Sequence, residues 1–251
     1  MVKKWNVTIP QLSGSDPRRV YLYLPDYYDD DPGRRFPVMY MFDGHNVFFD
    51  SDATYGKSWG MNSYMTWTRT PLIIVAVECN HKGNARLQEY SPMDFENSTL
   101  GKIQAKGQIY MDWLVGTLKP EIDANYRTLP ERERTIICGS SMGGLMALYG
   151  ATTYNHVFQR AACLSPSLWV SPGKVLEMVA RADIKNDTCI YMDYGSNEIF
   201  NHHSSAEALI STAHLLLTKR VNLAFRIVPG GTHSEASWEQ QIPIFMDCLG
   251  L

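Results

Sequence analysis

The stretch Thr135-Ile-Ile-Cys-Gly-Ser-Ser-Met-Gly-Gly-Leu-Met-Ala-Leu-Tyr149 decides how the rest of the chain is read. Its first four residues are β-branched or apolar, as in a strand covered on both faces. From Met142 onward the residues suit a helix, and between the two lies Gly139-Ser-Ser141-Met-Gly143, a Gly-x-Ser-x-Gly turn. A strand, a sharp turn and a helix in that order present a serine hydroxyl at the end of a sheet. Small residues on either side let the strained turn close, and the helix N-terminus stabilises negative charge that develops there. The same spacing recurs at Gly56-Lys-Ser58-Trp-Gly60, but polar Asp52-Ala-Thr-Tyr55 precedes it and no strand feeds it. Ser58 is therefore read as structural.

Apolar runs at residues 20–24, 37–42 and 72–77 precede this segment, and runs at 161–164, 189–192 and 225–228 follow it. Each ends in Gly, Ser, Asp or Pro turn chemistry, as strands do. Helix-length segments lie between them at 104–122, 142–154, 174–181, 205–219 and 235–249. Such alternation implies right-handed crossovers and a mostly parallel sheet with helices on both faces, opened by antiparallel strands near the N-terminus. The expected class is a three-layer α/β fold, formed as a single domain over residues 1–251. In such sheets ligands bind at the carboxyl ends of the strands, so chemistry is sought directly after apolar runs.

The chain has 251 residues, 45% hydrophobic and 20% charged, which suits one compact unit rather than disorder or a fibre. Its formal charge of -3 comes from 23 basic and 26 acidic residues without a basic stripe, which argues against nucleic acid as a partner. Residues 1–10 lack the apolar core of a signal peptide, and charges or prolines interrupt every apolar run before membrane-spanning length. Five cysteines, odd in number and without Cys-x-x-Cys spacing, suggest free thiols in a reducing, cytoplasmic setting. No metal site is expected from Cys/His spacing, and no cofactor. The partner expected is a small-molecule ester, with no nucleic acid and no membrane, and a homo-oligomer is left open.

A serine hydroxyl is a weak nucleophile near neutral pH and needs a histidine base oriented by a carboxylate. Of seven histidines, His233 alone stands just after the last apolar strand, in the loop Val228-Pro-Gly-Gly-Thr-His233. His156 and His214 fall within helical segments, and His202 and His203 in a loop. The acid belongs after the run at 189–192, where Asp193-Tyr-Gly-Ser-Asn-Glu198 offers two carboxylates. Glu198 is chosen because Asp193 continues the strand, and Asp193 is the alternative. Two backbone N–H groups must stabilise the tetrahedral oxyanion. Met142 follows the nucleophile, and His45 follows the strand at 37–42, where Gly44 is expected to supply the turn. Trp59, Arg86 and His202 are candidate pocket residues, with an Arg86-to-Glu89 ion pair as the structural alternative for Arg86.

Taken together, Val20-Tyr-Leu-Tyr-Leu-Pro25, Phe36-Pro-Val-Met-Tyr-Met-Phe-Asp-Gly-His-Asn46, Gly139-Ser-Ser-Met-Gly-Gly144, Tyr194-Gly-Ser-Asn-Glu198 and Gly230-Gly-Thr-His233 resemble the putative-esterase family of the α/β-hydrolase superfamily. That family includes esterase D, enterochelin esterases, feruloyl esterases and the antigen 85 mycolyltransferases. The resemblance spans nearly the whole chain and implies Ser141 as nucleophile, His233 as base, Glu198 as acid, and oxyanion amides at His45 and Met142. Many relatives carry Asp where Glu198 stands, a departure of this chain from the family pattern. The expected activity is carboxylic ester hydrolysis through an acyl-enzyme, on an acetylated or hydroxycinnamoylated carbohydrate or another small ester. An acyltransferase or a thioesterase like S-formylglutathione hydrolase would use the same site, and a non-catalytic binding module on this scaffold is the rival of another class.

Overall fold

In the computed structural model, which describes residues 1–201 and 203–251, ten strands form. They are β1 (Val2–Thr8), β2 (Pro17–Tyr23), β3 (Val38–Phe42), β4 (Ile73–Val77), β5 (Phe95–Asn97), β6 (Gly101–Ile103), β7 (Thr135–Ser140), β8 (Arg160–Leu164), β9 (Cys189–Gly195) and β10 (Asn222–Val228). Eight make one sheet in the order β1-β2-β4-β3-β7-β8-β9-β10, while β5 and β6 pair separately. β2 runs antiparallel to both β1 and β4, and every later pairing in that sheet is parallel. The three-layer α/β arrangement expected from the alternation is the one observed.

The strand period sorts the core into two layers. Ile137 on β7 belongs with Met111 and Leu148, whereas its neighbours Ile136 and Cys138 face the layer that holds Trp238 and Phe245. All residues of β3, β4 and β7 are buried, so these strands read as continuous apolar runs rather than as alternating ones. Burying one such Ile or Val stabilises the fold by about 1.5–3 kcal/mol.

Several elements depart from expectation. β1 is an edge strand whose half-buried Val2, Trp5 and Val7 alternate imperfectly with exposed residues, too weak a pattern to read from sequence. The helix Met61–Thr68 and the β5/β6 hairpin were likewise not expected. The segment at 104–122 is one helical run from Gly107 to Asn125 with a π-turn at Leu114–Leu118. The segment at 235–249 breaks into Glu235–Glu239 and Ile242–Cys248, and Pro243 opens the second piece where its missing N–H costs nothing. No helix among the described residues is long and apolar enough to cross a membrane.

Candidate active site

Six strand ends build the site, those of β3, β4, β7, β8, β9 and β10. At the end of β7, Ser141 adopts φ 58° and ψ -123°, a conformation that costs a non-glycine residue on the order of 1–3 kcal/mol. Two backbone hydrogen bonds hold it there: Ser141 N–H donates to Leu164 O at 3.0 Å, and Ser167 N–H donates to Ser141 O at 3.0 Å. The flanking glycines are sterically required. A Cβ on Gly139 would lie 2.6 Å from the Gly143 backbone, and one on Gly143 would lie 2.9 Å from Phe42 Cβ. The Ser141 hydroxyl lies 3.3 Å from that of Ser167. Ser58, by contrast, is buried and donates to Asp50 Oδ1 at 2.7 Å, a structural role as read from the sequence.

His233 lies beyond β10, with its Nδ1 2.5 Å from Glu198 Oε2. Glu198 sits in the short helix Ser196–Asn201 rather than in an open loop, and it is buried. Its other oxygen, Oε1, accepts from Gly195 N–H at 3.0 Å and from the Ser165 hydroxyl at 2.8 Å. Trp238 Nε1–H donates to Ser165 Oγ at 3.0 Å, and an indole N–H can only donate, so the Ser165 proton is directed to Glu198. The Trp238 ring also packs edge-on to the His233 ring, with centroids 5.1 Å apart. Ser165 and Trp238 were missed by sequence reading. The signal for Ser165 was its position directly after β8, where it holds a positive φ of 41°.

Asp193, the alternative acid, is turned elsewhere. Its Oδ2 accepts from Tyr191 OH at 2.8 Å and its Oδ1 from Ser165 N–H at 3.1 Å. Burial pushes its carboxyl up to about 6, and those two hydrogen bonds offset only part of the effect.

The loop after β3 differs from the expected detail. Asp43, not Gly44, is the residue in the left-handed conformation, at φ 55°. Gly44 is needed for a different reason, since a Cβ there would lie 2.7 Å from Ala76 O. Arg86 grips Asp43 through two bonds, Nε to Oδ1 at 2.8 Å and Nη2 to Oδ2 at 2.7 Å. Burial raises the Asp43 carboxyl, but the Arg86 charge and its hydrogen bonds more than offset this and hold it below its ordinary range. The Arg86-to-Glu89 pair weighed from sequence does not form, because Glu89 is engaged by Arg18 at 2.8 and 2.9 Å in a buried pair. His45 is the middle residue of the 3-10 turn Gly44–Asn46, and Met142 is the first residue of the helix Met142–Thr153. First-turn N–H groups have no acceptor within their own helix. Asn46 ties this loop to the segment after His233, donating to Glu235 Oε1 at 3.0 Å.

Ser141, His233, His45 and Arg86 line one cleft of about 580 Å³, a size suited to small molecules. Trp59 does not line it. It is 3% exposed and packs on Trp238 and Phe245, so as a pocket residue it is corrected to core. Its flat apolar ring is stabilised more by burial in that aromatic layer than at a polar cleft mouth. His202 lies outside the described residues.

Residues 13–245 match the family model described as Putative esterase. The chain belongs to the Putative esterase family. It is thus an enzyme, an esterase. Among curated relatives, this esterase is 26% identical over 185 residues to the uncharacterized protein YbbA of Bacillus subtilis, a match covering 72% of this chain and 69% of that one. It is 23% identical over 211 residues to the ferri-bacillibactin esterase BesA of the same organism, covering 77% and 70% respectively. The esterase shares its fold with the IroE-like serine hydrolase from Shewanella oneidensis at a TM-score of 0.75 and 20% identity, covering 99% of this chain and 78% of that structure.

Proposed function

We propose that the esterase hydrolyses small carboxylic esters through an acyl-enzyme, with Ser141 as nucleophile, His233 as base and Glu198 as the orienting acid. The observation that carries this reading is the division of labour at Glu198. One oxygen is held by Gly195 and Ser165, and the other lies 2.5 Å from His233 Nδ1, beside the cleft that Ser141 lines. A carboxylate only accepts hydrogen bonds, so Nδ1 carries the proton and Nε2 is the nitrogen that can receive one. The Ser141 oxygen attacks the ester carbonyl carbon as its proton passes to Nε2, and the backbone N–H groups of His45 and Met142 stabilise the oxyanion. The carbon–oxygen bond to the alcohol then breaks, and the alcohol leaves with the proton from Nε2. Water repeats the sequence on the acyl-serine, releasing the acid and restoring Ser141.

The cleft wall is polar: Asn46, Thr54, Lys57 and His81 line it beside the Asp43–Arg86 pair, which favours esters with hydroxylated or charged groups. An ester of a sugar fits that chemistry, and so does a polar ester of the kind named for BesA. The five cysteines, all free, fit a cytoplasmic setting. The test is hydrolysis of p-nitrophenyl acetate and butyrate with fluorophosphonate labelling and peptide mapping. Ser141→Ala is expected to abolish labelling and lower turnover by about four or more orders of magnitude, with Ser58→Ala still labelled. A wild type neither active nor labelled would remove the proposal.

A further inference from the structure

The wall of the cleft formed by the ends of β3 and β4 holds three side chains that the hydrolytic reading does not use. His45 and Cys79 are buried, His81 is exposed, and one potential ligand atom from each lies within 4.8 Å of the others. Cys79 Sγ is 3.9 Å from His81 Nδ1, and the His45 and His81 rings meet at a centroid distance of 4.7 Å. His45 is 4% exposed, and its Nδ1 is buried with no hydrogen-bond partner among the described residues, a costly condition for a ring nitrogen. The other nitrogen of His81, Nε2, faces Glu78 Oε1 at 3.2 Å. A histidine with one nitrogen turned to a cluster and the other held by a carboxylate is the usual arrangement of a metal ligand.

We infer that His45, Cys79 and His81 bind a divalent cation of the zinc class, and that its binding blocks ester hydrolysis. One sulfur and two imidazole nitrogens suit zinc or cobalt and exclude magnesium or calcium, which take oxygen ligands. In a tetrahedral site, metal–ligand bonds of about 2.0–2.3 Å put ligand atoms roughly 3.5 Å apart. The cluster must close by roughly 1 Å from its present spacing, a movement open to the exposed His81 ring. The Cys79 thiol gives its proton to solvent as the metal–sulfur bond forms. Glu78 supplies negative charge nearby, and the Arg86 charge is taken up by Asp43. Three protein ligands leave the fourth position open toward the cleft. A cation there occupies cleft space that the ester needs and anchors the turn that carries the His45 N–H. The blocking half rests on the Ser141 reading, whereas the binding half stands on this cluster alone.

The reduced chain, freed of metal with EDTA, is titrated with Zn²⁺ against a chromophoric chelator and with Co²⁺ by absorption. Wild type is expected to bind one equivalent, with a thiolate-to-cobalt charge-transfer band. Cys79→Ser should lose that band, and Glu78→Gln should weaken binding by about tenfold or more. His81→Ala, at an exposed position that leaves the core intact, should lose stoichiometric binding. Wild-type turnover of p-nitrophenyl butyrate should fall over the same Zn²⁺ range and recover on adding EDTA. No stoichiometric binding, or binding equal in wild type, Cys79→Ser and His81→Ala, overturns the site. Binding of one equivalent with turnover unchanged overturns the blocking. An inactive metal-free wild type refutes the Ser141 reading instead, and the cobalt band still decides the site.

Discussion

Replacing Glu198 by glutamine exchanges one carboxylate oxygen for an NH₂ group, and the structure dictates which way the new amide must face. Oε1 receives two donors: Gly195 N–H at 3.0 Å, and a Ser165 hydroxyl whose proton is directed there by Trp238 Nε1–H. The amide oxygen of the new side chain therefore stays on that side, and its NH₂ takes the place 2.5 Å from His233 Nδ1. An NH₂ group only donates, so Nδ1 must accept, and the ring proton moves to Nε2. That nitrogen can then no longer take the proton of Ser141. Turning the amide over would set NH₂ against the Gly195 N–H, leaving a buried donor unsatisfied at a cost of about 1–3 kcal/mol. The turned amide would still lack the charge that stabilises the imidazolium. The expected loss in kcat is about 10³- to 10⁴-fold, or roughly 4–5.5 kcal/mol of transition-state stabilisation, with KM little changed. Steady-state kinetics on p-nitrophenyl butyrate measure it, with a thermal melt to show that the variant folds. A Glu198→Gln enzyme within about tenfold of wild type would refute the reasoning, as would an equal loss in Asp193→Asn.

The same network makes Trp238→Phe a milder test. Without the indole donor the Ser165 hydroxyl is free to turn, and losing one hydrogen bond of about 1 kcal/mol should lower kcat roughly fivefold. Asp193→Asn is expected to alter stability rather than catalysis. The folded-state carboxyl is raised to about 6, so the native state holds this proton more tightly than the unfolded chain does. Its contribution is fully present at low pH and is lost as pH rises from about 4 to about 6, by on the order of 3 kcal/mol. Melting curves across that range should show the decline in wild type and a flatter profile in Asp193→Asn. Arg86→Ala leaves the buried Asp43 carboxylate without its partner and should destabilise the fold by about 3–5 kcal/mol, read by denaturant titration.

The parts legible in the sequence were those encoded by contiguous residues. The turn at Ser141 was readable because a strand, two glycines and a helix must adjoin it, and both glycines prove to be sterically required. β3, β4 and β7 were readable because a strand buried on both faces leaves an unbroken apolar run. That Asp193 continues β9 was readable, whereas the short helix carrying Glu198 was not. Boundaries failed where the signal is faint, as in the edge strand β1, or where a proline splits one periodic segment into two.

What only the tertiary structure decided lies between segments distant in sequence. Trp238, Ser165 and Glu198 come from the ends of different strands or the helices beyond them, and no spacing rule joins them. Arg86 could be weighed against its near neighbour Glu89, but the sheet order sets β2 beside β4 and gives Glu89 to Arg18, which frees Arg86 for Asp43. Trp59 looked like a cleft residue and is core, because exposure is a property of the packed layer rather than of the residue. His45 likewise meets Cys79 and His81 only because β3 and β4 lie side by side and end together. Local sequence sets which turns the backbone can make, whereas the pairing of distant strands sets which side chains share a cleft.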